Sequence, residues 1–231
     1  MKKGIITQSN YIPWKGFFHS LANVDVFVIY DDMQYTRRDW RNRNKLITSN
    51  GPKWLSIPVD IKGCYFIKIK DVTIHSNGWK KDHLNFIQNN YRRAPGFKEH
   101  FPKIEQLFIN APSKYLTDVN EFFIRELNKL LGINVEIRRS SEFILAEEKT
   151  ERLLNICIDI GVDKYYSGPA AKVYMEESVF TNKNILVEYW DYSNFKTYNQ
   201  LWDGFEHGVS VLDLMFNVPE NKWGKMLNIG E

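Results

Sequence analysis

The sequence predicts an α/β fold with a central, mainly parallel sheet, and three observations carry that expectation. Short apolar runs alternate with stretches of helical periodicity toward both ends of the chain. One run, Val26-Phe27-Val28-Ile29-Tyr30, has no polar interruption, as befits a strand covered on both faces of a parallel sheet. No repeat, low-complexity tract or linker divides the 231 residues, so one domain is expected.

Ile5-Ile6-Thr7 reads as the first strand. Pro13 favours a helix start, with Trp14, Phe17, Phe18, Leu21 and Val24 on the apolar side, and residues 25–30 form the second strand. A βαβ unit of this kind leaves the loop after its first strand at the carboxyl edge of the sheet, where open α/β sheets bind ligands. Gln8 to Lys15 belong at that edge. Residues 31–44 are polar and basic. Trp54-Leu55-Ser56-Ile57-Pro58-Val59 and residues 67–74 read as two further strands, paired around the Lys62-Gly63 turn and breaking the alternation.

Helical patterns follow at 79–91, 101–110 and 115–131, the last with Leu116, Val119, Phe123, Leu127, Leu130 and Leu131 on one stripe. Residues 79–131 are therefore expected to be a helical insertion. The alternation resumes with a strand at Val135-Glu136-Ile137, a helix capped by Thr150 and ended by Gly161, and a strand at Lys164-Tyr165-Tyr166-Ser167 that runs into Gly168. A last strand at Leu186-Val187-Glu188-Tyr189 and a short helix over 209–216 complete the pattern.

Composition narrows the function. Lysine and arginine number 31 against 28 carboxylates, a net charge of +3, too balanced for a protein whose affinity rests on neutralising many phosphates; general nucleic-acid binding is disfavoured. The 7 tryptophans and 12 tyrosines favour clefts for planar or polyhydroxylated ligands. Cys64 and Cys157 have neither a CxxC pair nor a histidine at ligand spacing, so no zinc site or disulfide framework is expected and a reducing compartment fits. The N-terminus turns polar after Ile5-Ile6, short of the roughly 7–15 apolar residues of a signal peptide or about 20 of a membrane helix, so a cytoplasmic protein without a membrane span is expected.

The order of motifs resembles the WbqC-like protein family. The residues that carry the resemblance are Gln8-Ser9-Asn10-Tyr11-Ile12-Pro13-Trp14-Lys15-Gly16-Phe17-Phe18, Asp25-Val26-Phe27-Val28, Gln34-Tyr35 and Trp40-Arg41-Asn42-Arg43-Asn44. Trp54 to Val59, Ser140-Ser141, Tyr166-Ser167-Gly168 and Ser210-Val211-Leu212-Asp213-Leu214-Met215-Phe216-Asn217 continue it over nearly the whole chain. The chain departs from the family pattern at Ser9, where a proline is usual, and at Val218-Pro219, where a glycine follows. The resemblance implies a setting in bacterial O-antigen (lipopolysaccharide) and other surface-polysaccharide biosynthesis, with a nucleotide-linked sugar as substrate and transfer of an acyl or aminoacyl group to a sugar amine. The first βαβ unit is also similar to the start of pantothenate-synthetase-like and cytidylyltransferase-like folds, which implies a Rossmann-like nucleotide-binding opening. Their His-x-Gly-His motif aligns with Trp14-Lys15-Gly16-Phe17, which keeps the glycine and lacks both histidines.

The candidate site residues follow from this frame. Gln8 and Tyr11, between a strand and a helix start, are expected to meet substrate at the positive end of the helix. Gln34, Tyr35, Arg38, Trp40, Arg41, Arg43 and Asn44 combine arginine forks for a diphosphate with amides for sugar hydroxyls and aromatic faces for stacking. The same segment also fits a solvated arginine loop paired with Asp31, Asp32 and Asp39. Ser140, Ser167 and Gly168 follow strands at the same edge, and Gln200 lies in a glycine-containing stretch able to close over a substrate. His19 and Asp213 are the candidates for taking a proton from the sugar amine; a packed helix histidine and a salt-bridged aspartate are the plainer alternatives. No metal ligands are expected. Two other classes stay open: an ATP-dependent amide-forming ligase of the adenylate-forming type, and a non-catalytic nucleotide-sugar- or partner-binding protein.

Overall fold

In the computed structural model, which describes residues 1–173 and 175–229, the chain opens with β1 (Lys3–Thr7), α1 (Lys15–Ala22) and β2 (Val26–Ile29), in the expected order. The polar segment then contains a strand that its sequence hides. β3 (Arg43–Thr48) pairs antiparallel with β4 (Gly51–Ser56), from Arg43 opposite Ser56 to Thr48 opposite Gly51. The expected partnership of residues 54–59 with 67–74 is thereby corrected to one ladder of two residue pairs, β5 (Val59–Asp60) against β6 (Thr73–Ile74). The reason lies in the turn: Gly51 adopts φ +83°, which glycine tolerates freely, and the Thr48 hydroxyl donates to the Gly51 carbonyl at 2.8 Å, so the chain doubles back there.

The helical insertion follows as α2 (Trp79–Tyr91), α3 (Phe97–Asn110) and α4 (Leu116–Leu130). α3 begins four residues before the expected 101 and carries Pro102 inside. The added turn is held by packing: the Gly96 amide donates to the Phe216 carbonyl at 2.8 Å, and Phe97 stacks on Phe101 at 4.5 Å. β7 (Glu136–Arg139), α5 (Lys149–Asp159), β8 (Lys164–Ser167), α6 (Glu177–Thr181), β9 (Leu186–Tyr189), α7 (Val211–Asn217) and α8 (Trp223–Met226) complete the chain. The cap of α5 is the Glu148 carboxylate, which accepts from the Glu151 amide, and not the Thr150 hydroxyl.

The central sheet has five strands in the order β7-β2-β1-β8-β9, every neighbouring pair parallel. The chain adds strands outward on one side of β1 and then returns to the other side, so the direction of winding switches between β1 and β8. Alternate residues feed two cores. Ile5, Phe27 and Ile29 pack with α1, α4 and α7, whereas Ile6, Val26 and Val28 pack with Leu153, Ile156 and Cys157 of α5 and Phe180 of α6. Burial on both faces explains why β2 is apolar throughout, and the carboxyl ends of all five strands point to one edge. No helix among the described residues is long and apolar enough to cross a membrane.

Candidate functional site

The loop after β1 is held from beneath by a buried polar network. Asp31, just past β2, accepts the Ser9 amide (2.9 Å), the Ser9 hydroxyl (2.7 Å) and the Thr117 hydroxyl (2.6 Å). Asn120 of α4 donates to the Ser9 hydroxyl oxygen at 2.9 Å and to the Arg41 carbonyl at 2.8 Å. Arg41 Nη1 donates back to the loop, to the Gln8 and Ser9 carbonyls and the Asn10 side-chain oxygen. Burial pushes the Asp31 carboxyl up from its usual range, opposed by the Ser9 and Thr117 hydrogen bonds and by the charge of Arg41.

This network changes the reading of three expected ligand contacts. Tyr11 is fully buried, edge-on to Trp79 and Phe123 with its hydroxyl 2.8 Å from His83 Nδ1, so it supports the loop from inside. Asn44 is likewise buried and donates to the Tyr11 and Ile12 carbonyls. Arg41 gives its Nη1 to the loop, holds its Nε 3.7 Å from Asp39, and does not line the basic groove described below. The Ser9 amide goes to Asp31 and the Tyr11 amide to the Trp40 carbonyl, so neither is free to cradle a phosphate.

The anion-receptive surface lies next to this loop. A groove of about 540 Å³ is lined by Arg37, Arg38, Arg43 and Lys62, with Tyr35, Asn42 and Ser56, and by no carboxylate among the described residues. The Arg43 guanidinium lies 4.0 Å over the Trp54 ring, its Nη2 donates to the Arg38 carbonyl, and its Nε is buried without a partner. That bond steadies Arg38 at φ +60°, a backbone state costly for a residue with a side chain. Arg37 donates to the Ile61 carbonyl at 3.2 Å. Arg37, Arg38 and Asn42 belong to the polar segment already singled out; Lys62 lies outside it, and the turn at Lys62-Gly63 was its only signal.

A second cavity, of about 310 Å³, is lined by Asn10, Pro13, Trp14, Trp40, Asn44 and Gly208. Segment 37–44 thus contributes to both. Trp40 packs on Trp54 at 4.9 Å, which ties the aromatic wall to the arginine groove. Trp14 covers the open face of Gly16, where a Cβ would lie 2.3 Å from the indole, so the glycine of Trp14-Lys15-Gly16-Phe17 is required by close approach. A third cavity, of about 280 Å³, opens beyond β2 and β7 and is lined in part by Asp31, Asp32, Ser140 and Ser141.

The remaining candidates are dispersed. Ser140 donates to Asp32 at 2.9 Å in the third cavity. Gln34 donates to the Tyr65 carbonyl, and Gln8 meets Arg41 through its carbonyl. Ser167 ends β8, Gly168 follows it, and neither lines any of the three cavities. Asp213 is fully buried and accepts from Tyr91 (2.6 Å), Tyr198 (2.8 Å) and Gln200 (2.9 Å). Burial raises its carboxyl, against those hydrogen bonds. Beside it lies Lys15, a residue the sequence placed only at the edge: its ammonium donates to the Lys196 carbonyl and sits 5.2–5.3 Å over Phe195, Tyr198 and Phe205. Burial lowers Lys15 to about 8, with Asp213 opposing. His19 packs between Trp190 and Phe195, its Nδ1 2.7 Å from the Leu227 carbonyl.

His83 supplies a pH prediction. It is 5% exposed, and burial lowers its imidazole to about 4, with the Ser56 backbone opposing. The unfolded chain protonates near the usual 6.5 while the folded one does not, so His83 adds stability above pH 6.5 that is lost as pH falls toward 4, at most about 3 kcal/mol. Denaturant melts across that window should steepen with acid in the wild type and less so in His83→Gln; parallel slopes would contradict the assignment.

Fold and site together define a class: an α/β protein with an all-parallel sheet whose carboxyl edge adjoins a basic groove and an aromatic cleft. Residues 8–224 match the WbqC-like protein family, and the chain belongs to it. It is similar, at 43% identity over 218 residues and 94% of both chains, to a Mycobacterium tuberculosis (strain ATCC 25618 / H37Rv) protein named uncharacterized protein Rv1507c. No solved structure matches the chain.

Proposed function

We propose that the protein binds a nucleotide-linked amino sugar and transfers an acyl or aminoacyl group to the sugar amine, in the biosynthesis of a surface polysaccharide. The observation that carries this reading is the groove of Arg37, Arg38, Arg43 and Lys62 without a lining carboxylate, beside a cleft walled by Trp14 and Trp40. Four cations suit a diphosphate, because guanidinium forks donate pairwise to phosphate oxygens. An indole face suits a base or a sugar ring.

In the transfer, the amine lone pair forms a bond to the carbonyl carbon of an activated acyl donor, such as a thioester or an acyl adenylate. The bond from that carbon to the leaving group breaks, the leaving group departs with its electron pair, and the nitrogen loses a proton. Of the two groups expected to handle that proton, His19 donates from Nδ1 to the Leu227 carbonyl, which puts its lone pair on Nε2. Asp213 has its oxygens committed to Tyr91, Tyr198 and Gln200 and serves better as a positioning group.

A thermal-shift screen of nucleotide-linked sugars, free nucleotides, ATP and coenzyme A tests the binding step. A ligand at 100 times its dissociation constant adds about 2.7 kcal/mol, a midpoint rise of roughly 5–10 °C for a chain of this size. Incubating the stabilising sugar with activated acyl donors should then add the acyl mass to the sugar. A folded protein that no nucleotide stabilises would overturn the reading.

A further inference from the structure

His100, near the start of α3, is 1% exposed, yet neither nitrogen of its ring has a hydrogen bond among the described residues. Nδ1 is buried without a partner, and Nε2 faces the Glu99 carboxylate at 3.9 Å, too far for a hydrogen bond. A neutral imidazole offers one donor and one acceptor, so a buried ring with both idle needs a reason. Packing explains only where the ring sits: it lies 4.7 Å from the Trp223 ring and against the bare face of Gly96, where a Cβ would come within 3.0 Å of Cδ2. Its nitrogens stay unsatisfied.

A second element brings another carboxylate to the same place. Glu220 opens a short 3-10 turn (Glu220–Lys222) just past α7, and one ligand atom from each of Glu99, His100 and Glu220 lies within 4.8 Å of the others. Among the described residues Glu99 makes no ion pair with a lysine or arginine, and Glu220 pairs with Lys103 alone, at 3.7 Å. Two carboxylates thus share one ammonium, on an exposed, flexible stem that can turn away. One imidazole nitrogen and two carboxylate oxygens around one point are a donor set for a zinc-class divalent ion. Bonds of about 2.0–2.2 Å put ligand atoms about 3.3 Å apart, so the exposed glutamate tips need to close by about 1.5 Å at most.

We infer that Glu99, His100 and Glu220 form a binding site for a zinc-class divalent cation, with His100 Nε2 as the nitrogen ligand and water completing the shell. The two glutamates balance the charge of the ion. The ion joins α3 to the chain just past α7, where the Gly96 amide already meets the Phe216 carbonyl at 2.8 Å and Phe97 packs on Phe216 at 5.6 Å. None of the three residues lines the arginine groove or the aromatic cleft, so the ion clips the helical insertion to the C-terminal segment and takes no part in the transfer proposed above. Glu99 and His100 adjoin in sequence, but only the fold brings Glu220 to them, which is why residue spacing carries no metal signal.

Zinc chloride titrated calorimetrically into the untagged, chelator-treated full chain at pH 7 should show one site per chain with a micromolar dissociation constant. Magnesium should bind at least about 100-fold more weakly, because an imidazole ligand favours the softer ion. Saturating zinc should raise the melting midpoint by several degrees. Glu99→Gln and Glu220→Gln, both at exposed positions, should each weaken zinc at least about tenfold, whereas Lys103→Met removes a competing cation and should tighten it about threefold. His100→Gln should abolish the site; since His100 is buried, circular dichroism checks its fold and the three exposed variants decide the matter if it does not fold. Absence of one-to-one binding, equal affinity for magnesium, or zinc affinity unchanged in Glu220→Gln, which marks an adventitious ion only, would overturn the inference.

Discussion

Replacing Arg38 and Arg43 together by alanine is expected to weaken binding of a nucleotide-linked sugar by about 100-fold or more, with the protein still folded. Two charge-assisted contacts to a diphosphate are worth roughly 1.5–3 kcal/mol each, so their joint loss corresponds to two or more decades in the dissociation constant. Arg43 is the more sensitive of the two, because its guanidinium is stacked on Trp54 and bonded to the Arg38 carbonyl, and so is already fixed before ligand arrives. Arg43→Lys keeps the charge and loses the fork and the stacking, and should fall between wild type and Arg43→Ala. Calorimetric titrations at two ionic strengths check this: wild-type affinity should drop with salt, and the double variant should be both weaker and less salt-sensitive. A double variant with wild-type affinity would put the diphosphate elsewhere.

The second large effect concerns stability. Asp31→Ala is expected to cost about 3–5 kcal/mol, because it leaves the Ser9 amide and the Ser9 and Thr117 hydroxyls without their acceptor and Arg41 without a buried counter-charge. Asp31→Asn keeps the volume but turns an amide group toward donors that need an acceptor, so it should recover only part of the loss. Urea denaturation gives the comparison directly, as a lower midpoint at an unchanged slope. A cost under about 1 kcal/mol for the alanine variant would mean that the network beneath the β1 loop contributes little.

The parallel sheet is legible in the sequence for a physical reason that the hairpin lacks. β2 is covered on both faces and must be apolar at every position, whereas β3 exposes one face and alternates Arg43 and Lys45 with the buried Asn44 and Leu46. A strand written in arginine, asparagine and lysine reads as a loop. The site divides in the same way. The 37–44 segment announces an anion-binding surface by composition, but Arg41 and Arg43 are two residues apart and indistinguishable as residue types. Depth separates them: Arg41 turns to the Gln8 and Ser9 carbonyls, while Arg43 lies on Trp54 and lines the groove. Tyr11 reads as a ligand contact and is buried beneath the loop, and Asn44 holds the Tyr11 and Ile12 carbonyls while also lining the second cavity, because side chains that hold a ligand-facing loop have the same polarity as those that touch a ligand.

A crystal structure of the protein with a nucleoside diphosphate tests the central claim most directly. The account predicts both phosphates in the groove, with oxygens about 3 Å from the Arg38 and Arg43 guanidinium nitrogens and the Lys62 ammonium, and the base or its attached sugar against Trp40 or Trp14. A diphosphate seated in the crevice between β1 and β8, with the arginine groove empty, would contradict it.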